Sequence, residues 1–572
     1  MIKDLAHFVM VAQGKAMADV VIKDANVYQS FLGTFTRGDI AIDQGHVAGI
    51  GSYEGHETID AHGRYATPSF IDGHVHIESS MLCPREFARA VVPLGTLTVV
   101  TDPHEIANVA GVAGIRYMMD AAKNLPMDTY FMLPSCVPST PLEDSGATLS
   151  AAELRPLLDE PMVLGLAEFM NVPGVLTCDA QAYQKLTMKD DLKIEGHAPG
   201  VMGSDLSGYA AAGITSDHEC VTADEARARL AAGMYLEIRE GSAARNYRAL
   251  SPVIDEHTAP YCLLVTDDRH PADILERGHI NSIVRDAVKN GLDVGTAINM
   301  ATINPARYFG LRDTGVIAPH YHADILLFDD LESFVPSLVM HRGEVVAEKG
   351  GLVCVMPEIN HGLIEDSVRL APFSASDLVI HLPGGKANVM ELVPHQLITK
   401  KAVMDVKTEN GLAVADVERD ILKLAVFERH HATGQVGRAL VKGFGLKAGA
   451  IASTVGHDSH NLTVIGASDV DMIAAARELE RIHGGFAIAR DGKVLGSLAL
   501  PIGGLMTTSD ARYVASEAAK LVKIGRDLGV NEAYDPLMTL AFLSLPVIPA
   551  LKLTDRGLVD VAAGRIISVA AE

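Results

Sequence analysis

Between residues 69 and 310, short apolar runs alternate with amphipathic stretches of helical period, in the order strand then helix. The runs TPSFIDGH, LGTLTVVTD, DTYFMLPSC, PMVLGLAEF, DLKIEGH, AGITSDH, GMYLEIRE and YCLLVTDD are β-rich and end in polar, Gly or Pro residues. Segments such as PREFARAVVPL, AGIRYMMDAAKN, TADEARARLAAG and INSIVRDAVKNG lie between them and read as helices. Eight strands in this rhythm predict an α/β fold, a (β/α)8 TIM-type barrel over 69–310. Barrels of this kind carry their reactive residues at the C-terminal strand ends.

The flanks follow another rule. ADVVIKDANVYQ, TRGDIAIDQGHVAGIG and HETIDAHGRY alternate apolar and polar positions, as half-buried antiparallel strands do. GVIAPHYHADILLFDD and SLVMHRGEVVAEKG repeat the pattern beyond the barrel. The expectation is a small β-sandwich domain made from residues 1–68 and a return segment, 311–358, with the barrel inserted between them. Residues 359–572 mix strands (DLVIHLP, LAVFER, AIASTV, LTVIGAS, GGFAIARDGKVLGSLAL) with helices (SDVDMIAAARELERI, SDARYVASEAAKLVKIGRDLG), which predicts a C-terminal α+β domain covering the barrel mouth. Two of its loops carry histidines, Glu428-Arg429-His430-His431 and Gly456-His457-Asp458-Ser459-His460-Asn461. They read as covers for the barrel mouth, as a separate metal site, or as solvated turns.

A chain of 572 residues is long enough for two or three domains. Its formal net charge of −24 argues against a nucleic-acid partner and suits a soluble protein that holds divalent cations. The six cysteines have no paired spacing, which suggests reduced thiols and a cytoplasmic protein. The start has no signal-peptide layout, and no apolar run approaches a membrane span. A homo-oligomer, dimer or tetramer, is the expected assembly.

Candidate chemistry begins at Phe70-Ile71-Asp72-Gly73-His74-Val75-His76, where two histidines two residues apart close the first barrel strand. On an extended strand, i and i+2 point the same way, so both imidazoles can reach one cation. A lone H-x-H is weak evidence. Its weight comes from Glu168, His197, His218 and Asp267, which end strands four, five, six and eight. Four imidazoles and two carboxylates without thiolate suit Zn2+, Fe2+ or Mn2+. A carboxylate on strand four could bridge two such ions, and Asp267 could carry protons to and from a reacting group. The plainer readings make Glu168 a loop carboxylate or helix cap and place Asp267 or Asp268 at the head of PADILERGHI. They also turn Glu219 away from His218 if the strand continues unbroken.

These segments resemble the amidohydrolase superfamily of metal-dependent hydrolases, and within it the adenine deaminase branch. PSFIDGHVHIESS, VVTDPHEIANV, AEFMN, EGHAPG, SDHE, TDDRHPADILERGHI and AINMATINPARYFGL carry the resemblance through the barrel; VFERHHATGQ, GHDSHN and LALPIGGLM carry it into the last domain. The resemblance implies hydrolytic deamination of adenine to hypoxanthine and ammonia by a metal-bound hydroxide. It implies two divalent ions, Mn2+ or Fe2+ with Zn2+ possible. His74, His76 and Asp267 would hold the more buried ion, His197 and His218 the second, and Glu168 would bridge them where many relatives use a carboxylated lysine. Asp267 would then be the proton shuttle and Glu219 the acid that protonates the ring. Ser79, Ser80, His104, Glu105 and Asp268 would line the pocket or support the ligands. Other readings are a hydrolase of guanine, a dihydropyrimidine or a hydantoin, and a metal-free scaffold without catalysis.

Overall fold

The computed structural model describes residues 2–359 and 364–571. Five strands precede the barrel: β1 (Ala18–Gln29), β2 (Thr34–Asp43), β3 (His46–Gly51), β4 (Gly55–Asp60) and β5 (Tyr65–Pro68). The barrel strands are β6 (Phe70–Val75), β7 (Thr96–Thr101), β8 (Asp128–Leu133), β9 (Val163–Phe169), β10 (Lys193–Gly196), β11 (Ser216–Asp217), β12 (Tyr235–Arg239) and β13 (Cys262–Val265). All eight coincide with the apolar runs above. β6 to β10 form one parallel sheet in chain order and β11 to β13 a second. The two sheets join through Thr215 N–H, which donates to the Ile194 carbonyl at 3.0 Å, and through Asp267 N–H, which donates to the His74 carbonyl at 2.9 Å. Helices between the strands shield the outer face, so β6, β7 and β13 are buried at every position and tolerate unbroken apolar sequence.

One irregularity places a key side chain. Leu166 pairs with Ile194 and Phe169 with Gly196, so β9 carries one residue more than β10 across this gap. Such a bulge rotates the strand end. Ala167 packs with Val100, Met132, Leu263 and Val265 inside the barrel, and the bulge lets its neighbour Glu168 face the same interior rather than the opposite side.

After the barrel come β14 (Ile325–Phe328), β15 (Leu338–His341), β16 (Glu344–Glu348) and β17 (Gly351–Leu352). β14 pairs with β5, so strands from both sides of the barrel share one nine-stranded sheet. The sheet folds over its own core of Ile22, Val27, Ile40, Ile325, Leu327 and Met340. In the C-terminal part an eight-stranded sheet packs against helices Asp469–Arg481 and Ala511–Asp527, both of which start at side-chain caps, Ser468 and Asp510. DLVIHLP, expected as a strand, is instead a short 3-10 turn, Ala375–Leu378, followed by a single bridge from His381 to Leu412. A capping box between Ser374 and Asp377 winds the first half, and Pro383 with Gly384-Gly385 ends the second. Among the described residues no helix is long and apolar enough to cross a membrane.

Candidate metal centre

The six side chains proposed as ligands converge at the C-terminal end of the barrel. His76 Nε2 lies 3.1 Å from Asp267 Oδ1, and His74 Nε2 lies 3.8 Å from the same oxygen. Glu168 Oε2 is 2.8 Å from His197 Nδ1 and 3.1 Å from His218 Nε2, while its other oxygen is 3.7 Å from His76 Nε2. Glu168 therefore spans both groups of imidazoles. The His74 and His218 rings stack with centroids 4.2 Å apart. His76 Nδ1 sits 3.0 Å from the Asp102 carbonyl, which leaves Nε2 free to face the centre.

The donor set fits divalent cations. His74 is fully buried with hydrogen-bond partners on neither ring nitrogen, a costly state for an imidazole unless a ligand completes it. Burial and the neighbouring His218 and His76 rings hold its pKa down to about 4, so it is a neutral lone-pair donor at neutral pH. Burial opposes ionisation of Glu168, but the flanking His197 and His218 outweigh it and keep the carboxylate well below its ordinary range. Among the groups of ligand atoms close enough to share a single ion are His74, His76 and Asp267; His74, Glu168 and His218; and His197, His218 and Glu219.

Around these candidate ligands the structure adds residues that spacing did not single out. Arg239 at the end of β12 clamps two carboxylates, with Nη1 2.8 Å from Asp267 Oδ2 and in close contact with Glu219 Oε1. Because β11 stops at Asp217, Glu219 is free to turn back toward the centre, 3.5 Å from His218 Nε2. Burial works against its charge, yet His197 and Arg239 hold its pKa below the ordinary value. Asp217 is pinned beneath it: Arg229 Nε donates at 2.8 Å, and Asp217 Oδ1 accepts from the backbone N–H groups of Ala198 and Glu219. This buried pair fixes the ends of strands five and six together.

The remaining candidates divide. Asp268 accepts from the Ser79 hydroxyl, and the helix Pro271–Glu276 has no side-chain cap, so neither aspartate serves as its cap. Ser80 donates to the Ile77 carbonyl at 2.6 Å. His104 packs edge-on against His76 and meets Asp102 Oδ2 at 3.0 Å and Glu168 Oε1 at 3.5 Å, which places it beside the centre. Glu105 is the anchor of the C-terminal part. Its two oxygens meet His457 Nδ1 and His460 Nε2 from the loop Gly456–Asn461. His460 Nδ1 accepts the Gly456 N–H at 3.1 Å, so its proton resides on Nε2 and is donated to Glu105. That loop therefore lies beside the candidate centre, with Asp458 Oδ1 3.9 Å from His104 Nε2. His431 reaches the Ser145 carbonyl through Nε2 at 3.1 Å, on the wall of a cavity of about 840 Å³ that Ser135, Glu143 and Arg556 also line.

The charge on this bracket titrates. Burial disfavours a charged His457, but Glu105 raises its pKa to about 9, while burial drops its neighbour His460 to about 4. One carboxylate supports one imidazolium. A pKa raised above its unfolded value stabilises the fold fully below about pH 6.5, and the contribution, on the order of 3 kcal/mol, declines from there and is lost by about pH 9. Cleavage of the 456–461 loop by protease should accelerate as pH rises from about 6.5 to about 9. In E105Q that pH dependence should vanish; an unchanged profile would remove the ion pair as its cause.

Comparison with known proteins places this geometry in context. Residues 65–346 match the amidohydrolase family and residues 396–565 the adenine deaminase C-terminal domain. The chain is 54% identical over 567 residues to adenine deaminase 2 of Carboxydothermus hydrogenoformans, covering 99% of this chain and 100% of that one. It is 47% identical to adenine deaminase of Nitratidesulfovibrio vulgaris, with 97% of each chain covered, and 45% identical to that of Geobacillus kaustophilus, with 99% of each covered. Among solved structures, an enamidase described as a member of the amidohydrolase superfamily aligns over 60% of this chain and 100% of its own, at 17% identity and a TM-score of 0.46.

Proposed function

The chain belongs to the amidohydrolase family and, within it, to the adenine deaminases, and from that premise we propose that its barrel mouth converts adenine and water to hypoxanthine and ammonia. The single observation that carries the reading on this chain is the convergence of His74, His76, Glu168, His197, His218 and Asp267 around buried, unpartnered imidazole nitrogens.

Two divalent cations held there, Mn2+ or Fe2+ in our reading, would lower the pKa of water and polarise the substrate. His74, His76 and Asp267 would hold one ion and His197 and His218 the other, with the Glu168 carboxylate in reach of both groups of imidazoles. The protein's own task is to move two protons. Water adds to adenine C6, and its first proton ends on ring nitrogen N1. Glu219, kept anionic by Arg239, receives that proton and passes it to N1. Asp267 takes the second proton from the new C6 hydroxyl and delivers it to the departing amino group. The C6–N bond breaks, ammonia leaves, and C6 becomes a carbonyl. Both carboxylates share Arg239, so the clamp holds acceptor and donor on one side of the reacting carbon.

The His457–His460 loop excludes water from this space, which strengthens every charge interaction inside it. Purine salvage in the cytoplasm is the setting we assign, in keeping with six unpaired cysteines, and a dimer or tetramer is the assembly. The test is ammonia release and the ultraviolet shift of the purified, metal-loaded protein with adenine, guanine, a dihydropyrimidine and a hydantoin. Turnover should be confined to adenine. Turnover of another member of the panel with adenine inert would overturn the assignment.

A further inference from the structure

Beneath the proposed metal centre lies a second set of buried carboxyl groups that the mechanism does not use. Glu195 on β10 and Glu237 on β12 are 1% and 0% exposed, and none of their four carboxylate oxygens has a hydrogen-bond partner. Glu195 Oε1 is 3.9 Å from His74 Nδ1, and Glu237 Oε2 is 3.8 Å from His218 Nδ1. Those two ring nitrogens are themselves unpartnered. Ligand atoms of His74, Glu195 and Glu237 all lie within 4.8 Å of one another. Native interiors rarely leave so many facing donors and acceptors unpaired.

The orientation of the rings explains the arrangement. His74 and His218 stack nearly parallel, tilted by 23°, each with Nε2 toward the mouth and Nδ1 toward the barrel floor. A neutral imidazole that gives the Nε2 lone pair to a cation carries its proton on Nδ1, and that proton needs an acceptor. His76 already has one in the Asp102 carbonyl. For His74 and His218 the acceptors within reach are Glu195 and Glu237. We propose that Glu195 and Glu237 are positioning residues that receive the Nδ1–H of His74 and His218, so that each proposed ion has one carboxylate-backed imidazole. The inference rests on the two-cation reading above. Closing gaps of 3.8 and 3.9 Å to hydrogen bonds requires each ring to move by about 1 Å when its Nε2 is engaged.

The test compares the parent with E195Q and E237Q, isosteric changes that keep volume. Ion retention is measured by elemental analysis and by competition with a graded chelator, and melting temperature is measured on the metal-stripped and loaded forms. Each variant should hold one ion roughly 10–100-fold more weakly than the parent. Its stripped form should melt no lower than the stripped parent, because the carboxyl it replaces has no hydrogen-bond partner there to lose. Unchanged ion affinity would overturn the proposal. So would a fall in the melting temperature of the stripped form equal to that of the loaded form, the mark of a merely structural role. A third ion in the parent that disappears in both variants would also overturn it, making the pair ligands instead. Should a variant not fold, nitrogen-15 spectra of the zinc-loaded parent decide: Nδ1–H resonances of His74 and His218 shifted downfield support the proposal, and their absence refutes it. A parent that binds no divalent ion refutes the two-cation reading itself, a distinguishable failure.

Discussion

Asp267→Asn is expected to leave a folded, largely metal-loaded protein whose turnover falls by roughly 10²–10⁴-fold, the range for loss of a positioned proton carrier. The change is unusually clean at this position. Asp267 sits at φ +59°, in the left-handed region where Asn is among the few tolerated side chains, so the backbone accepts the variant. The amide retains one oxygen for the ion that His74 and His76 share, but it cannot accept a proton. Its NH2 would also face Arg239 or His76, each now 2.8 and 3.1 Å from a carboxylate oxygen, so the clamp on Glu219 loosens as well. Turnover of adenine and metal content, measured on one preparation, separate the two effects. Activity within tenfold of the parent would remove Asp267 from proton transfer.

Glu168→Gln should act on metal occupancy first. Its carboxylate reaches both ends of the centre: one oxygen meets His197 and His218, and the other approaches His76. Replacing it removes a charge from between two cations and turns one acceptor into a donor beside imidazoles. The expected result is a fall from two bound ions to one after dialysis, with activity reduced at least ~10²-fold as the second ion's share of the chemistry is lost. Two tightly retained ions would show that Glu168 does not bridge.

The barrel was readable because helical crossovers bury parallel strands on both faces, so each strand is an apolar run with a polar end. The same feature made the six candidate ligands stand out at strand ends. Glu195, Glu237 and Arg239 escaped for a related reason. They lie within DLKIEGH and GMYLEIRE, where a charged letter reads as the weak point of an apolar run, and only the shape of a closed barrel shows that these positions face inward. A usable signal did exist: Glu195 precedes His197 by two residues, and Glu237 precedes Arg239 by two, so each pair shares a strand face. The bulge that turns Glu168 inward has no such marker, since it depends on how β9 meets β10. Nor could spacing show that His457 and His460 belong beside Glu105, because that contact joins residues 352 and 355 positions apart. DLVIHLP misled by composition alone; a capping box and Pro383 outvoted its apolar letters.

The join between the first and last barrel strands runs through His74, Val75, His76 and Asp267, the backbone of the proposed inner ligands. The hoop is therefore buckled where it would grip its ion. Stripping that ion should unfasten β6 from β13 before any other pair of staves, and amide hydrogens at 76 and 267 should be the first to exchange with deuterated solvent. An enzyme built this way should loosen at that seam when emptied, so the cell's supply of the right cation would govern how much of the chain survives as well as how fast it works.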